Sequence, residues 1–223
     1  MPRIHFQLQL ASLKDNLLAM AALAQQAVEA SVDAYLLRDA RLCEYVQENE
    51  TAINSAQRHV DEMAYELLAK EQPMAIDLRF ILAVIKINGD LERIGDQSMS
   101  IAIRTQNLLD QPAVDLNVDI AEMAEHASRM IRSAIQALLD ADAQIADSVL
   151  VMDDRIDQMT RIAHDELTRV MQEHSESSRQ ALNAFVIAYN LKRIAAYATS
   201  IATDVIFWIR GADVRHQLNS AAD

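Results

Sequence analysis

Residues 82–102 read LAVIKINGDLERIGDQSMSIA, and residues 182–202 read LNAFVIAYNLKRIAAYATSIA. At an offset of 100, eight of the 21 positions are identical: Leu82, Ile87, Leu91, Arg93, Ile94, Ser100, Ile101 and Ala102 recur as Leu182, Ile187, Leu191, Arg193, Ile194, Ser200, Ile201 and Ala202. A second block agrees: ETAIN at 50–54 lines up with DDRID at 153–157. Self-similarity at a nearly fixed offset marks a duplicated structural unit. The first copy has an oddity at its centre, where NGDLERIGDQ (88–97) puts two glycines, three carboxylates and an arginine inside an otherwise apolar segment. Glycine in a helix costs roughly 1 kcal/mol against alanine, so these residues need a reason.

The rest of the chain supports a helical reading. Of 223 residues, 51% are hydrophobic but only 4% aromatic, with three Gly and three Pro. A chain rich in Ala, Leu, Ile and Met with so few breakers reads as all-α. A first helix is expected from about Gln9 to Leu37, a turn at 38–41 with Asp39 as N-cap, and a second helix to about Lys70. Pro73 breaks the pattern, and a third helix follows to about Leu109. DQPAVDLN at 110–117 is the linker candidate. The rhythm then repeats: a helix from about Val118 to Leu139, a turn in DADA, a helix to about Gln172, possible Ser caps in EHSESS (173–178), and a last helix to Arg210 ended by Gly211. The expected architecture is two tandem, related three-helix bundles, 1–111 and 112–223, six long helices of up-down topology.

Charge excludes several functions. The net charge is -13, with ten basic and sixteen acidic residues in 1–111 and ten and seventeen in 112–223. No basic run stands out, which argues against nucleic acid and against an anionic membrane surface as direct partners. An acidic surface suits cations or basic patches on other proteins. The single cysteine, Cys43, precludes an intrachain disulfide and fits a reducing compartment. The start has no signal-peptide pattern, and the longest uncharged apolar run, Gln180 to Leu191, is too short to span a bilayer. A cytoplasmic protein is expected.

On a helical wheel, Ile81, Val84, Ile85, Asn88, Leu91, Gly95, Met99, Ala102 and Ile103 share one arc of the third helix. Glu92 falls within the arc, Asp96 at its edge, and Arg93 and Asp90 outside. An ionised carboxylate facing a core must find a cation, hydrogen bonds or a metal. In one reading Arg93 forms a ladder with Asp90 and Asp96, each three residues away, and Glu92 pairs with a basic residue on another helix. In the other, Glu92 and Asp96 present oxygens from one face to a cation, completed by the second helix, where Asp61 and Glu62 stand beside His59. Gly95 allows close approach by a neighbour.

DLERIGD at 90–96 resembles the signature of the PhoU family, bacterial regulators of phosphate uptake. LLAKEQPMAIDLRFILAVIKI at 67–87 is similar to the family's joint between second and third helices. ETAIN is similar to its acidic entry, and FWIRGADVRH at 207–216 to its ending. The resemblance implies two three-helix bundles and a negative regulator that couples a phosphate ABC-transporter ATPase to a sensor histidine kinase. It also implies metal binding through carboxylate pairs four residues apart. Carried over residue by residue, it implies a divalent metal or iron held in the first bundle by Glu92, Asp96 and Asp61, with Gln57 weakening the second-helix motif. In the second bundle Lys192 and Ala196 replace the signature acids and Thr160 and His164 the second-helix pair, so no multinuclear cluster is expected there.

No Glu is followed three residues later by His, as a di-iron bundle enzyme would need. There is no phosphate-binding Gly-rich loop and no nucleophile elbow, so a non-enzyme is expected. Phe207 and Trp208 pack in the core or mark a partner surface, and a homodimer is expected. Three functions remain: the phosphate regulator, a metal storage or scavenging protein, and an accessory of a non-ABC phosphate or anion permease.

Overall fold

The structure, a computed structural model, describes residues 2–211, with side chains from Ile4 onward. Six helices account for the fold: α1 (Pro2–Leu37), α2 (Ala40–Glu71), α3 (Ile76–Leu109), α4 (Ile120–Asp140), α5 (Ala143–Glu173) and α6 (Ser178–Arg210). There is no strand among the described residues. Helix α1 begins at Pro2 rather than near Gln9, because proline at the first helical position needs no backbone donor. The family ending expected beyond Gly211 lies outside the described residues.

Local chemistry explains most boundaries. Asp39 caps α2 by accepting from Arg41 N, Asp119 caps α4 by accepting from Glu122 N, and Asp142 caps α5 by accepting from Gln144 N and Ile145 N. Gly211 ends α6 in the left-handed region, at φ 71°. Gln72, just before Pro73, takes a left-handed conformation and stops α2. The expected serine caps of α6 do not form. Ser177 sits at φ -97° and ψ 1° and its side chain makes no capping bond. A single 3-10 turn, Ser175–Ser177, joins α5 to α6 instead, so the chain enters α6 already coiled.

Within each unit the helices run up and down. Asn49 of α2 donates to Leu23 O of α1, and Asn88 of α3 donates to Gln57 O of α2. The two units then join through α3 and α6, which form the most extensive helix pairing in the molecule. These two helices are antiparallel: Lys86 pairs with Asp204 at 3.0 Å, and Phe80 stacks on Trp208 with ring centroids 4.9 Å apart. The hydrophobic core runs unbroken through both units, from Leu13, Leu17 and Met20 of α1 to Ile187, Leu191 and Ile201 of α6. The linker therefore separates the helices into two sets of three, but one apolar interior serves both.

The duplication is visible in the seam's hydrogen bonds. Asn190 donates to Ser100 Oγ at 2.9 Å, and Asp90 accepts from Ser200. Each bond maps onto the other at the repeat offset of 100. This corrects the wheel-based reading of α3. Asp90, placed on the outside there, is only 4% exposed, while Asp96 is the exposed acid. The reason is that α3 has two apolar fronts: one faces α1 and α2, the other faces α6. Burial pushes the Asp90 carboxyl up, opposed by hydrogen bonds from Ser200 and Arg93 and by the charges of Arg93 and Lys86. Trp208 and Phe207 are half-buried, Trp208 against Phe80 and Phe207 beneath the Lys86 ammonium at 5.4 Å.

Candidate metal face of the first bundle and its altered copy

The face between α2 and α3 gathers the acids singled out by the sequence, though not as expected. Asn88 is fully buried and donates through Nδ2 both to Gln57 O and to Asp61 Oδ1, each at 2.9 Å. Asp61 is thereby bound to Asn88, one turn away from Glu92 along α3. The third carboxylate near Glu92 and Asp96 is Glu50, which accepts from Asn54 Nδ2 at 2.6 Å. His59 and Glu62 are exposed on the outer side of α2. Arg93 pairs with Asp90 at 3.0 Å, and its charge also favours ionised Asp96. Glu92 has no ion pair with a basic side chain among the described residues. Gly95 is explained by Ile53, whose Cδ1 would lie 3.0 Å from any Cβ there.

The electrostatics are those of crowded acids. Burial pushes the Glu92 carboxyl up, with further upward pushes from Asp96 and Glu50 against the pull of Arg93. Burial also raises Asp96, and Glu50 adds to it, while Arg193 and Arg93 oppose. Such a face is receptive to positive charge. The residues as placed do not fit a divalent or iron centre, however. Among the described residues, no three His, Cys, Asp or Glu side chains converge as a metal-ligand group. The set Glu92, Asp96 and Asp61 is split because Asn88 holds Asp61.

These shifts predict a pH effect. An acid whose pKa is raised by folding holds its proton better in the folded chain, so its contribution to stability falls as pH climbs above the ordinary carboxylate value near ~4. A double variant carrying Glu92→Gln and Asp96→Asn is therefore expected to melt higher than wild type at neutral pH. The gain fades as the solution is acidified into the ordinary carboxylate range, where wild type is itself protonated. Scanning calorimetry from neutral to acid checks this; a gain that persists unchanged in acid contradicts it.

The copy of this face, between α5 and α6, carries a cation among its acids. Asp153 and Asp157 stand where the first unit has Glu50 and Asn54. Lys192, in the place of Glu92, lays its ammonium 2.9 Å from Asp157 Oδ1. Burial raises the Asp153 carboxyl, and Asp157 adds to it, while a hydrogen bond from Thr199 and the Lys192 charge lower it. The Thr160 hydroxyl donates to Ile156 O at 2.8 Å. His164 lies edge-on to Phe185 with ring centroids 5.6 Å apart, and its Nδ1 is 3.0 Å from Asp165 Oδ1. A tethered ammonium thus occupies the acidic side of the second bundle. The signal for this was in the repeat alignment, as Lys192 against Glu92. The acids it neutralises were not apparent, because DDRID shows neither its rotation nor its register against α6.

Comparison with known proteins gives one consistent answer. The family model described as the PhoU domain matches twice, over residues 17–105 and 120–205, once in each three-helix set. A relative from Pseudomonas aeruginosa, named a phosphate-specific transport system accessory protein PhoU homolog, is 34% identical over 212 residues, 95% of this chain and 88% of that protein. A homolog from Methanothermobacter thermautotrophicus is 32% identical over 93% of this chain and 95% of its own length. The crystal structure of PhoU from Pseudomonas aeruginosa superposes with a TM-score of 0.90 at 32% identity, covering 93% of this chain and all (100%) of that one. That of the phosphate transport system regulatory protein PhoU from Streptococcus pneumoniae superposes with a TM-score of 0.87 at 25% identity, over 94% of this chain and 99% of the other.

Proposed function

This chain belongs to the PhoU family, and we propose that it is a non-enzymatic accessory regulator that holds phosphate uptake and phosphate-starvation signalling down when phosphate is plentiful. The observation that carries this is the end-to-end match: both three-helix sets, in order, correspond to relatives named as phosphate-specific transport system accessory proteins. The action is by protein–protein contact, with a phosphate ABC-transporter ATPase, a sensor histidine kinase or both. The chain's net charge of -13 suits a basic surface on such a partner. No helix among the described residues is long and apolar enough to cross a membrane, so attachment at the inner membrane face runs through those partners.

Deletion of the gene in its host tests the reading. Uptake of labelled phosphate and a phosphate-starvation reporter are both expected to stay high in phosphate-rich medium, and a plasmid copy restores repression. Unchanged uptake and unchanged reporter would sink the proposal. The altered signature of the second bundle, with Lys192 on Asp157, favours one second reading, in which the regulated carrier is a non-ABC phosphate or anion permease. Affinity purification from crosslinked membranes separates the two, since either an ABC ATPase or a lone permease is recovered.

A further inference from the structure

The altered copy does more than lose acids; it opens a pocket. Between α5 and α6 lies a cavity of about 520 Å³ lined by Asp157, Thr160, Arg161, His164, Asp165, Phe185, Tyr189 and Lys192. That volume is in the range of small-molecule sites, roughly 300–1,000 Å³. Phe185 and Tyr189, with ring centroids 6.5 Å apart and planes inclined by 30°, make an aromatic wall that His164 meets edge-on. Two full cations, Arg161 and Lys192, face the same space in a chain of net charge -13. Lys192 is held by Asp157, whereas Arg161 has no ion pair among the described residues.

The chain's own repeat shows which of these features belong to the pocket and which to the scaffold. At the equivalent places the first unit has Gln57, Arg58, Asp61 and Glu62 on α2, and Ile85, Gly89 and Glu92 on α3. Passing to the second unit, Glu92 becomes Lys192, Asp61 becomes His164, Asn54 becomes Asp157, and Ile85 and Gly89 become the two aromatic rings. The bundle folds with either set, so neither the rings nor the added lysine are demanded by packing. Tyr189 is 48% exposed, a poor use of a ring that has only a core to fill.

We infer that the α5–α6 pocket binds a nucleotide-type anion, its planar base against Phe185 and Tyr189 and its phosphate oxygens on Arg161 and Lys192. Guanidinium and ammonium groups bind phosphate by charge-assisted hydrogen bonds, and aromatic rings take a base by stacking. Thr160 contributes shape only, since its hydroxyl is already spent on Ile156 O. The lining's two acids match its two cations in number: Asp157 must yield Lys192 to the phosphate, and Asp165, beside His164, is countered only when that imidazole is protonated. The site stands apart from the regulatory reading, to which it would supply a metabolite input.

Calorimetric titration of the full chain with ATP, adenosine and inorganic phosphate, in EDTA at fixed ionic strength, tests it. ATP is expected to saturate a single site with a Kd below about 1 mM, adenosine and phosphate binding at least about tenfold more weakly. Arg161→Ala and Tyr189→Ala are each expected to weaken ATP by about tenfold or more, while Arg58→Ala, the equivalent position of the first unit, leaves it unchanged. NMR signals of the His164 and Phe185 rings move on ATP addition. The inference is overturned by absence of saturation with ATP, by binding that Arg161→Ala and Tyr189→Ala leave intact, or by phosphate binding as tightly as ATP, which would make this a simple anion site.

Discussion

Gly95→Val is expected to destabilise the protein by roughly 3 kcal/mol, the upper part of the range for overpacked interiors. A Cβ at position 95 would lie 3.0 Å from Ile53 Cδ1, 3.4 Å from its Cγ2 and 3.8 Å from its Cβ. Ile53 is 1% exposed, so its side chain can move aside only by displacing other core groups. Valine adds two further methyl groups to that contact. The double variant Gly95→Val with Ile53→Ala is expected to lose less than the two single changes together, with a coupling of about 1–3 kcal/mol. Gly89→Ala is the control: nothing lies within 4 Å of a Cβ there, so the better helix former should add up to about 1 kcal/mol. Urea unfolding of the four variants reads all of this. A Gly95→Val protein as stable as wild type would mean that Ile53 yields and that close approach is not what keeps this glycine.

Arg38→Ala is the second large loss, expected at about 2 kcal/mol. Arg38 ends α1 at φ 54°, and its guanidinium reaches across to the far end of α3. There Nη2 donates to Leu108 O at 2.5 Å, Leu109 O at 3.2 Å and Gln111 O at 2.5 Å. Leu108 and Leu109 end a long helix, whose last carbonyls carry partial negative charge, and Gln111 lies just beyond it; Leu108 O also accepts from Gln111 N. One side chain therefore caps α3 and pins the start of the linker. Arg38→Lys should recover at least half of the loss, because all three contacts are made by one nitrogen, Nη2, and an ammonium also carries three N–H donors. Recovery of less than half by lysine would show that the planar fork itself matters there. Because the left-handed backbone favours glycine, Arg38→Gly should be milder than Arg38→Ala if backbone strain contributes.

Much of the fold was legible before any tertiary information. The turn at Asp39, the break at Pro73, the linker and the stop at Gly211 are local events, and all four stand where residue chemistry puts them. The match between 82–102 and 182–202 identified the helices that became the seam, α3 and α6. The site was less legible. Glu92 and Asp96 were found from their spacing, but Glu50 was passed over as part of an entry motif, and Asp61 was assigned to a group it does not join. Asp90 was turned outward when it is buried.

The difference has one physical cause. Helix formation, capping and breaking depend on neighbours within about one turn, so the sequence by itself determined six helices, most of their ends and the duplication. The rotation and register of one helix against another depend on side chains far apart in the chain. A helix with two buried fronts, as α3 has against α1 and α2 on one side and α6 on the other, has no single core direction that a wheel could show. Only the tertiary structure decided that Asp90 meets Ser200, that Asn88 takes Asp61, that Gly95 admits Ile53, and that Lys192 lies on Asp157 beside an aromatic pocket.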